Sequence, residues 1–329
     1  MKRRELLGGL AGAAALRPGA GSAQQAQSLP TVAIAFASVE GDPESLQRAR
    51  SFQAGMRDLG WIDGQTVRFA GRWMGNDPAR ARTVADDLVA LKPDVILTMG
   101  TVAATALRAA TKSIPVVFVN VTDPVAGGYV ASLARPGGNM TGFTPFEYPI
   151  AGKWLALLKQ AAPGLSRVAL MGDPNNHNYR GFWGPFETTA QGLAIQPLKL
   201  PVGSAAEIEK GLEDLAAAPG GGVVVSAATF SLAHRELIFA LTARLRLPAI
   251  YWTRFFAATG GLMSYGPDTD ELYAKSAAYV SRILKGAHPA DLPVQTATRF
   301  ETVINLRTAR ALGLQIAPSL ASSADETIE

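Results

Sequence analysis

Ile114-Pro115-Val116-Val117-Phe118-Val119-Asn120-Val121-Thr122-Asp123-Pro124-Val125 is an apolar run that breaks into polar and turn-forming residues. A continuous apolar stretch bounded by turn chemistry is the pattern of a strand covered on both faces, as in a parallel sheet. The stretch closes downstream on Arg135-Pro136-Gly137-Gly138-Asn139-Met140-Thr141-Gly142, a second turn feeding a second strand. Ligands of open α/β sheets bind beyond the carboxyl ends of the strands. Asn120, Thr122 and Asp123 stand there, so the first expectation is a small-molecule site.

Working outward, strand and helix patterns alternate with little interruption. Strands are expected over 31–37, 66–71, 94–98 and 139–143, with helices over 43–59, 78–91, 101–110 and 125–133. After a junction at 143–149 the rhythm restarts. Strands over 168–171, 195–200, 223–226, 248–250 and 261–265 alternate with helices over 150–161, 182–191, 204–217, 231–244 and 269–284. The tail adds a strand over 294–298 and a helix over 305–312. Repeated βα units imply parallel strands, right-handed crossovers and helices on both faces. The fresh start after the junction favours two open sheets over one sheet or a closed barrel. The fold class expected is α/β, with two doubly wound parallel-sheet lobes.

The amino terminus reads as a signal peptide over 1–23. Lys2-Arg3-Arg4 form a basic region, an apolar run follows, and Gly21-Ser22-Ala23 is a small-residue cleavage site. The run is shorter than the roughly 20 apolar residues a bilayer span needs. Arg3-Arg4 fit a twin-arginine leader as well as the general route. Of 31 basic and 27 acidic residues the leader holds four and one, which leaves 27 and 26, a net of +1. That near-balance argues against a nucleic-acid partner. With no cysteine in the chain, disulfides, thiolate metal sites and a lipid-modified cysteine are excluded. The expected product is periplasmic, soluble and not lipid-anchored.

Catalytic patterns are sparse. His177, His234 and His288 are far apart and lack metal-ligand spacing, and neither a nucleophile elbow nor a phosphate-binding glycine loop occurs. Gly137-Gly138 precede a strand, so they lack the free helix-terminal N–H groups that hold an anion. No cofactor or metal is expected. The candidates for ligand binding are Ser38, Gly100, Thr101, Asn120, Thr122, Asp123, Asn175, Asn176, Asn178, Tyr251, Trp252 and Tyr265. Gly100 and Thr101 open a helix whose N–H groups suit a carboxylate, although Thr101 is equally placed to be a plain helix cap. Asp123 suits an ammonium group or, before Pro124, a cap. The asparagines offer neutral hydrogen bonds or serve as turn residues. Tyr251, Trp252 and Tyr265 would wall an aromatic ring or pack in the core. Arg135 and Arg254 are weaker carboxylate clamps, Arg135 being in a loop suited to solvent.

Five stretches in order carry a family resemblance. They are Asn120-Val121-Thr122-Asp123-Pro124-Val125, the run from Arg135 to Gly142, Asp173-Pro174-Asn175-Asn176, Tyr265-Gly266-Pro267-Asp268, and the tail from Phe300 to Leu314. The chain resembles ABC-transporter substrate-binding proteins that include tryptophan- and tyrosine-type binders, over nearly all of its mature length. Thr229-Phe230 and Tyr251-Trp252 depart from that pattern. The resemblance implies a type I periplasmic-binding-protein fold with a three-crossover hinge near 144–148, 265–266 and 292–295. Lobe one would be 24–144 with 266–294, and lobe two 145–265 with 295–329. It further implies a monomer that closes on a small carboxylated or zwitterionic ligand, such as an aromatic amino acid, and delivers it to an ABC permease in the inner membrane. A ligand sensor feeding a signalling receptor shares these features, and a secreted α/β enzyme is the remaining alternative.

Overall fold

The computed structural model describes residues 29–75 and 77–329, and the expected leader over 1–23 lies outside the described residues. Among the described residues, thirteen strands run in chain order: β1 (Thr31–Phe36), β2 (Arg68–Trp73), β3 (Val95–Met99), β4 (Val116–Val119), β5 (Met140–Thr144), β6 (Arg167–Gly172) and β7 (Gln196–Pro201). They continue with β8 (Gly221–Val225), β9 (Ala249–Tyr251), β10 (Met263–Pro267), β11 (Gln295–Thr296), β12 (Phe300–Asn305) and β13 (Glu326–Ile328). One sheet has the order β11-β5-β4-β3-β1-β2 with its pairings parallel. The other runs β13-β12-β10-β9-β8-β6-β7, where β10 and β12 are antiparallel. The fold is therefore the expected α/β type with two parallel-sheet lobes.

Alternation along β1 shows why helices cover both faces. Val32, Ile34 and Phe36 point into a core with Phe52 and Met56 of the helix Pro43–Asp58 and with Tyr273 and Val280 of the helix Thr269–Leu284. Ala33 and Ala35 point the other way, among Ala81, Leu88, Ala104 and Leu107 of the helices Pro78–Ala90 and Thr101–Ala110. Successive strand side chains take opposite faces, so a strand apolar at every position is buried twice.

The chain passes between the sheets after β5, after β10 and after β11. Two passages fall slightly later than the expected boundaries. Gly266 and Pro267 remain paired with Glu301 and Phe300, and Gln295 and Thr296 pair with Phe143 and Thr144. The strand expected over 294–298 shortens to those two residues. A larger correction concerns 125–133, which forms successive turns rather than a helix. Arg108 Nη1 donates to the carbonyls of Gly127 and Gly128, at 2.7 and 3.1 Å, and takes acceptors a helix would use. The tail also forms β12 and β13, neither of which the sequence reading anticipated.

Trp154 anchors the second core. It is fully buried, edge-on to Phe146 at 5.4 Å, and its Nε1–H donates to the carbonyl of Tyr265 at 2.7 Å. That bond ties the first helix of the second lobe to β10, next to a crossover. Trp154→Phe keeps an aromatic ring but removes the donor to this carbonyl and leaves a void in the core, and should cost at least about 1–2 kcal/mol in urea unfolding. An unchanged midpoint would show that water or another donor replaces it.

Candidate functional site

The carboxyl ends of the two sheets face each other across a cavity lined from both lobes. From the first lobe, Ser38 follows β1, Gly100 and Thr101 follow β3, and Asn120 and Thr122 follow β4. From the second, Asn176 and Asn178 follow β6, Ala227 and Ala228 follow β8, and Trp252 follows β9. Eight of the twelve residues expected from sequence are thus brought together.

Helix geometry supplies three more residues. Asp42 caps the helix Pro43–Asp58, its Oδ1 accepting from the Ser45 N–H at 2.9 Å. Ser45 and Arg48, three residues apart on one face, then line the cavity. The Ser45 and Ser38 hydroxyls bond at 2.7 Å. Arg48 is 5% exposed and pairs with buried Glu44. Its guanidinium lies 5.5 Å from the ring centre of Tyr273, the third added residue.

Charge is held here against burial. Desolvation opposes ionisation of Arg48, but Glu44, Tyr273, Asp270 and Asp42 keep its pKa above the ordinary value. Burial raises the pKa of Glu44, with Arg48 pulling the other way. Burial also pushes the Tyr273 hydroxyl up to about 12, so it remains a proton donor near neutrality. Arg48 Nε, Tyr273 Oη and Trp252 Nε1 are buried without a hydrogen-bond partner. Leaving such groups unpaired costs about 1–3 kcal/mol each, more when charged. A ligand with acceptor atoms removes that cost.

The helix Thr101–Ala110 contributes backbone donors. Gly100, at φ 97°, is its N-cap, with no side-chain bond to the first turn. Thr101 is therefore the first helical residue and not the cap. N–H groups of a helical first turn have no partner within the helix. Asn120 sits at φ 63°, a left-handed conformation that asparagine tolerates, and its N–H donates to the Phe143 carbonyl at 3.1 Å. Across the cavity, Asn176 caps the helix His177–Gly192 through Oδ1 and the Asn178 N–H at 3.0 Å. Buried Asn178 accepts from the Tyr148 hydroxyl at 3.4 Å.

Four expected residues stand elsewhere. Asp123 is outside the cavity wall, at φ 42°, and its Oδ1 accepts from the Ala126 N–H at 3.0 Å as a turn cap. Asn175 is exposed, its N–H bonded to Asp173 Oδ1 at 2.8 Å. Tyr251 points into the core and stacks on Phe256 at 4.9 Å. Tyr265 stacks on Phe300 at 5.6 Å beside the crossovers. Arg254 is committed to Glu326 through two bonds of 2.6 and 2.7 Å, and Arg135 is exposed. Arg48 and Tyr273 escaped the sequence reading because they lie on helices. The usable signal was an arginine on the same helical face as buried Phe52 and four residues after Glu44.

An ion pair crosses the cleft mouth. Arg235 of the second lobe reaches Asp42 Oδ2 at 3.6 Å while donating to the Leu232 carbonyl at 3.0 Å. Since Asp42 also caps the helix carrying Arg48, this contact links the second lobe to the cavity wall. Arg235→Gln should speed ligand release about threefold to fivefold, as expected for a partly exposed pair worth under about 1 kcal/mol. Stopped-flow release rates equal to wild type would remove the pair from closure.

Among the described residues, no group of three or more His, Cys, Asp or Glu is placed to hold a metal ion. None of the described helices is long and apolar enough to cross a membrane.

The family model for ABC transporter substrate binding proteins matches residues 31–328. A tyrosine-binding protein from Clostridioides difficile (strain R20291) is 26% identical over 278 residues, covering 82% of this chain and 78% of that one. An ABC domain from Streptococcus pneumoniae solved with L-Trp overlays with a TM-score of 0.85 at 24% identity, over 92% of this chain and all of that one. The ligand-free, open structure of a Clostridium difficile substrate-binding protein with adhesive properties overlays at 0.68 and 22% identity, over 92% and 99% of the two chains.

Proposed function

The chain belongs to the ABC transporter substrate-binding protein family, and from that premise we propose that it captures a small carboxylated solute between its lobes for import. The solute class is the aromatic amino acids. The observation that carries this reading is the set of unpaired buried donors on residues that line one cavity: Arg48 Nε and Tyr273 Oη from one lobe, Trp252 Nε1 from the other. A carboxylate takes donors bidentately and neutralises the buried guanidinium. Relatives that bind tyrosine, or were solved with L-Trp, support the choice of class.

The protein works as a monomer in the periplasm after export, without a lipid anchor and without a nucleic-acid partner. Ligand shifts the lobes towards the closed form, with Arg235 and Asp42 meeting across the mouth, and the closed form is what an inner-membrane permease reads. Division near 144, 267 and 296 gives each lobe one sheet. The reaction is capture and release, with the ligand unchanged.

Mass spectrometry of whatever co-purifies, followed by thermal-shift ranking of amino acids and aromatic acids, tests this. A bound ligand at a hundred times its Kd stabilises by about 2.7 kcal/mol, a shift well above measurement error. Aromatic amino acids should lead the ranking. Stabilisation by none of them, or chemical conversion of one, overturns the reading.

A further inference from the structure

We propose that Trp252 is a specificity-determining residue that makes the cleft select acids with an oxygen acceptor at the end remote from the carboxylate. The proposal rests on the carboxylate-binding reading above and goes further by assigning the ligand's other end. Trp252 is the first residue beyond β9 and lines the cavity from the second lobe. Its side chain is 3% exposed, and its Nε1 is buried without a partner. Indole Nε1–H only donates, so its partner must be an acceptor.

No protein acceptor bonds it. The other second-lobe residues on the cavity wall are Asn176, Asn178, Ala227, Ala228 and Leu232; the Asn176 Oδ1 already accepts from the Asn178 N–H, the Asn178 Oδ1 from the Tyr148 hydroxyl, and the other three side chains carry no polar atom. The Ser226 carbonyl already accepts from the Ser231 hydroxyl at 3.0 Å. On the opposite lobe, Arg48 and Tyr273 line the cavity and also carry unpaired donors. An occupant that satisfies both walls therefore has acceptors at both ends. Its carboxylate meets Arg48 and Tyr273, and its distal oxygen meets the indole N–H. A hydrocarbon end leaves the buried donor unpaired. Sites built around a buried hydrogen bond reject the analogue that lacks it far more strongly than apolar pockets reject a missing methylene.

A phenol should thus be preferred over a phenyl ring. An indole or aniline, whose nitrogen presents N–H towards N–H, should lose the advantage. Calorimetric titration of the full chain with L-tyrosine, L-phenylalanine, 4-amino-L-phenylalanine and L-tryptophan tests this directly. L-tyrosine should bind at least about tenfold more tightly than L-phenylalanine, with the amino analogue and L-tryptophan on the weak side. In Trp252→Phe, which keeps an aromatic ring and removes the donor, the tyrosine-to-phenylalanine ratio should fall to about one, through loss of tyrosine affinity. The ligand panel on the unaltered protein decides the matter even if that variant folds poorly. Equal binding of tyrosine and phenylalanine by the unaltered protein, or a ratio unmoved in a folded Trp252→Phe, overturns the role of Trp252 and leaves the carboxylate site standing. Binding of none of the four overturns both.

Discussion

Arg48→Met is expected to lower affinity for the proposed carboxylated ligand by more than about thirtyfold, because truncating one partner of a buried charged contact costs about 2–5 kcal/mol. It should also destabilise the protein. Glu44 has one oxygen on Arg48 and the other without a partner, so losing the guanidinium leaves a buried carboxylate uncompensated. Such losses run to about 3–5 kcal/mol. The pH dependence has a definite sign. Burial already raises the pKa of Glu44, and removing Arg48 removes the largest opposing influence. The group is then tolerated when protonated, so its stabilising form is complete below the ordinary carboxylate range and is lost as pH rises through the elevated folded pKa. The deficit of Arg48→Met should therefore shrink in acid. The double variant Glu44→Gln/Arg48→Met should regain most of the stability and none of the affinity. If the double variant binds normally, Arg48 is structural only.

Gly142→Ala should be the most damaging single-methyl change in the first lobe. Gly142 lies on β5 opposite Phe118 of β4, at φ 155°, and an added Cβ would sit 1.9 Å from the Phe118 carbonyl oxygen. That contact is with backbone, so no side chain can swing away to relieve it. Separating β4 from β5 would break the ladder that ends in Asn120 and Thr122 on one strand and leads into the hinge on the other. Strain at such a conformation and overpacking each cost about 1–3 kcal/mol, and here they coincide. A loss above about 3 kcal/mol is expected in chemical unfolding, with poor soluble yield. A midpoint within experimental error of wild type would mean that the sheet opens there at little cost.

Much of this could be read from the sequence because parallel sheets leave few choices. Runs such as Val116 to Val119 are apolar at every position, which only a doubly covered strand requires, and the polar residues that follow must stand at the strand ends. That logic located Ser38, Gly100, Asn120, Asn176 and Trp252. It misplaced Tyr251 because a strand's last residue and the one after it face different ways, and only the second reaches the cavity. It misread Asp123, where one carboxylate satisfies either a ligand or the turn it begins. Arg48 and Tyr273 were hidden for another reason. Their helices read as ordinary amphipathic cover, and nothing in a helical period says that its buried face continues past the core into a binding site. The turns over 125–133 depend on Arg108, a partner distant in sequence that no local pattern announces.

The central claim is that two lobes close on one carboxylated aromatic ligand held by Arg48 and release it unchanged. Equilibrium dialysis of the purified protein with labelled L-tyrosine and L-tryptophan, with the recovered ligand checked by mass spectrometry, tests that most directly. The account predicts saturation at one ligand per chain, with a Kd near micromolar or tighter (about −8 kcal/mol) for at least one of the two, a loss of more than about thirtyfold in Arg48→Met, and full recovery of intact ligand. No saturable binding, binding indifferent to Arg48, or a chemically altered ligand would contradict it.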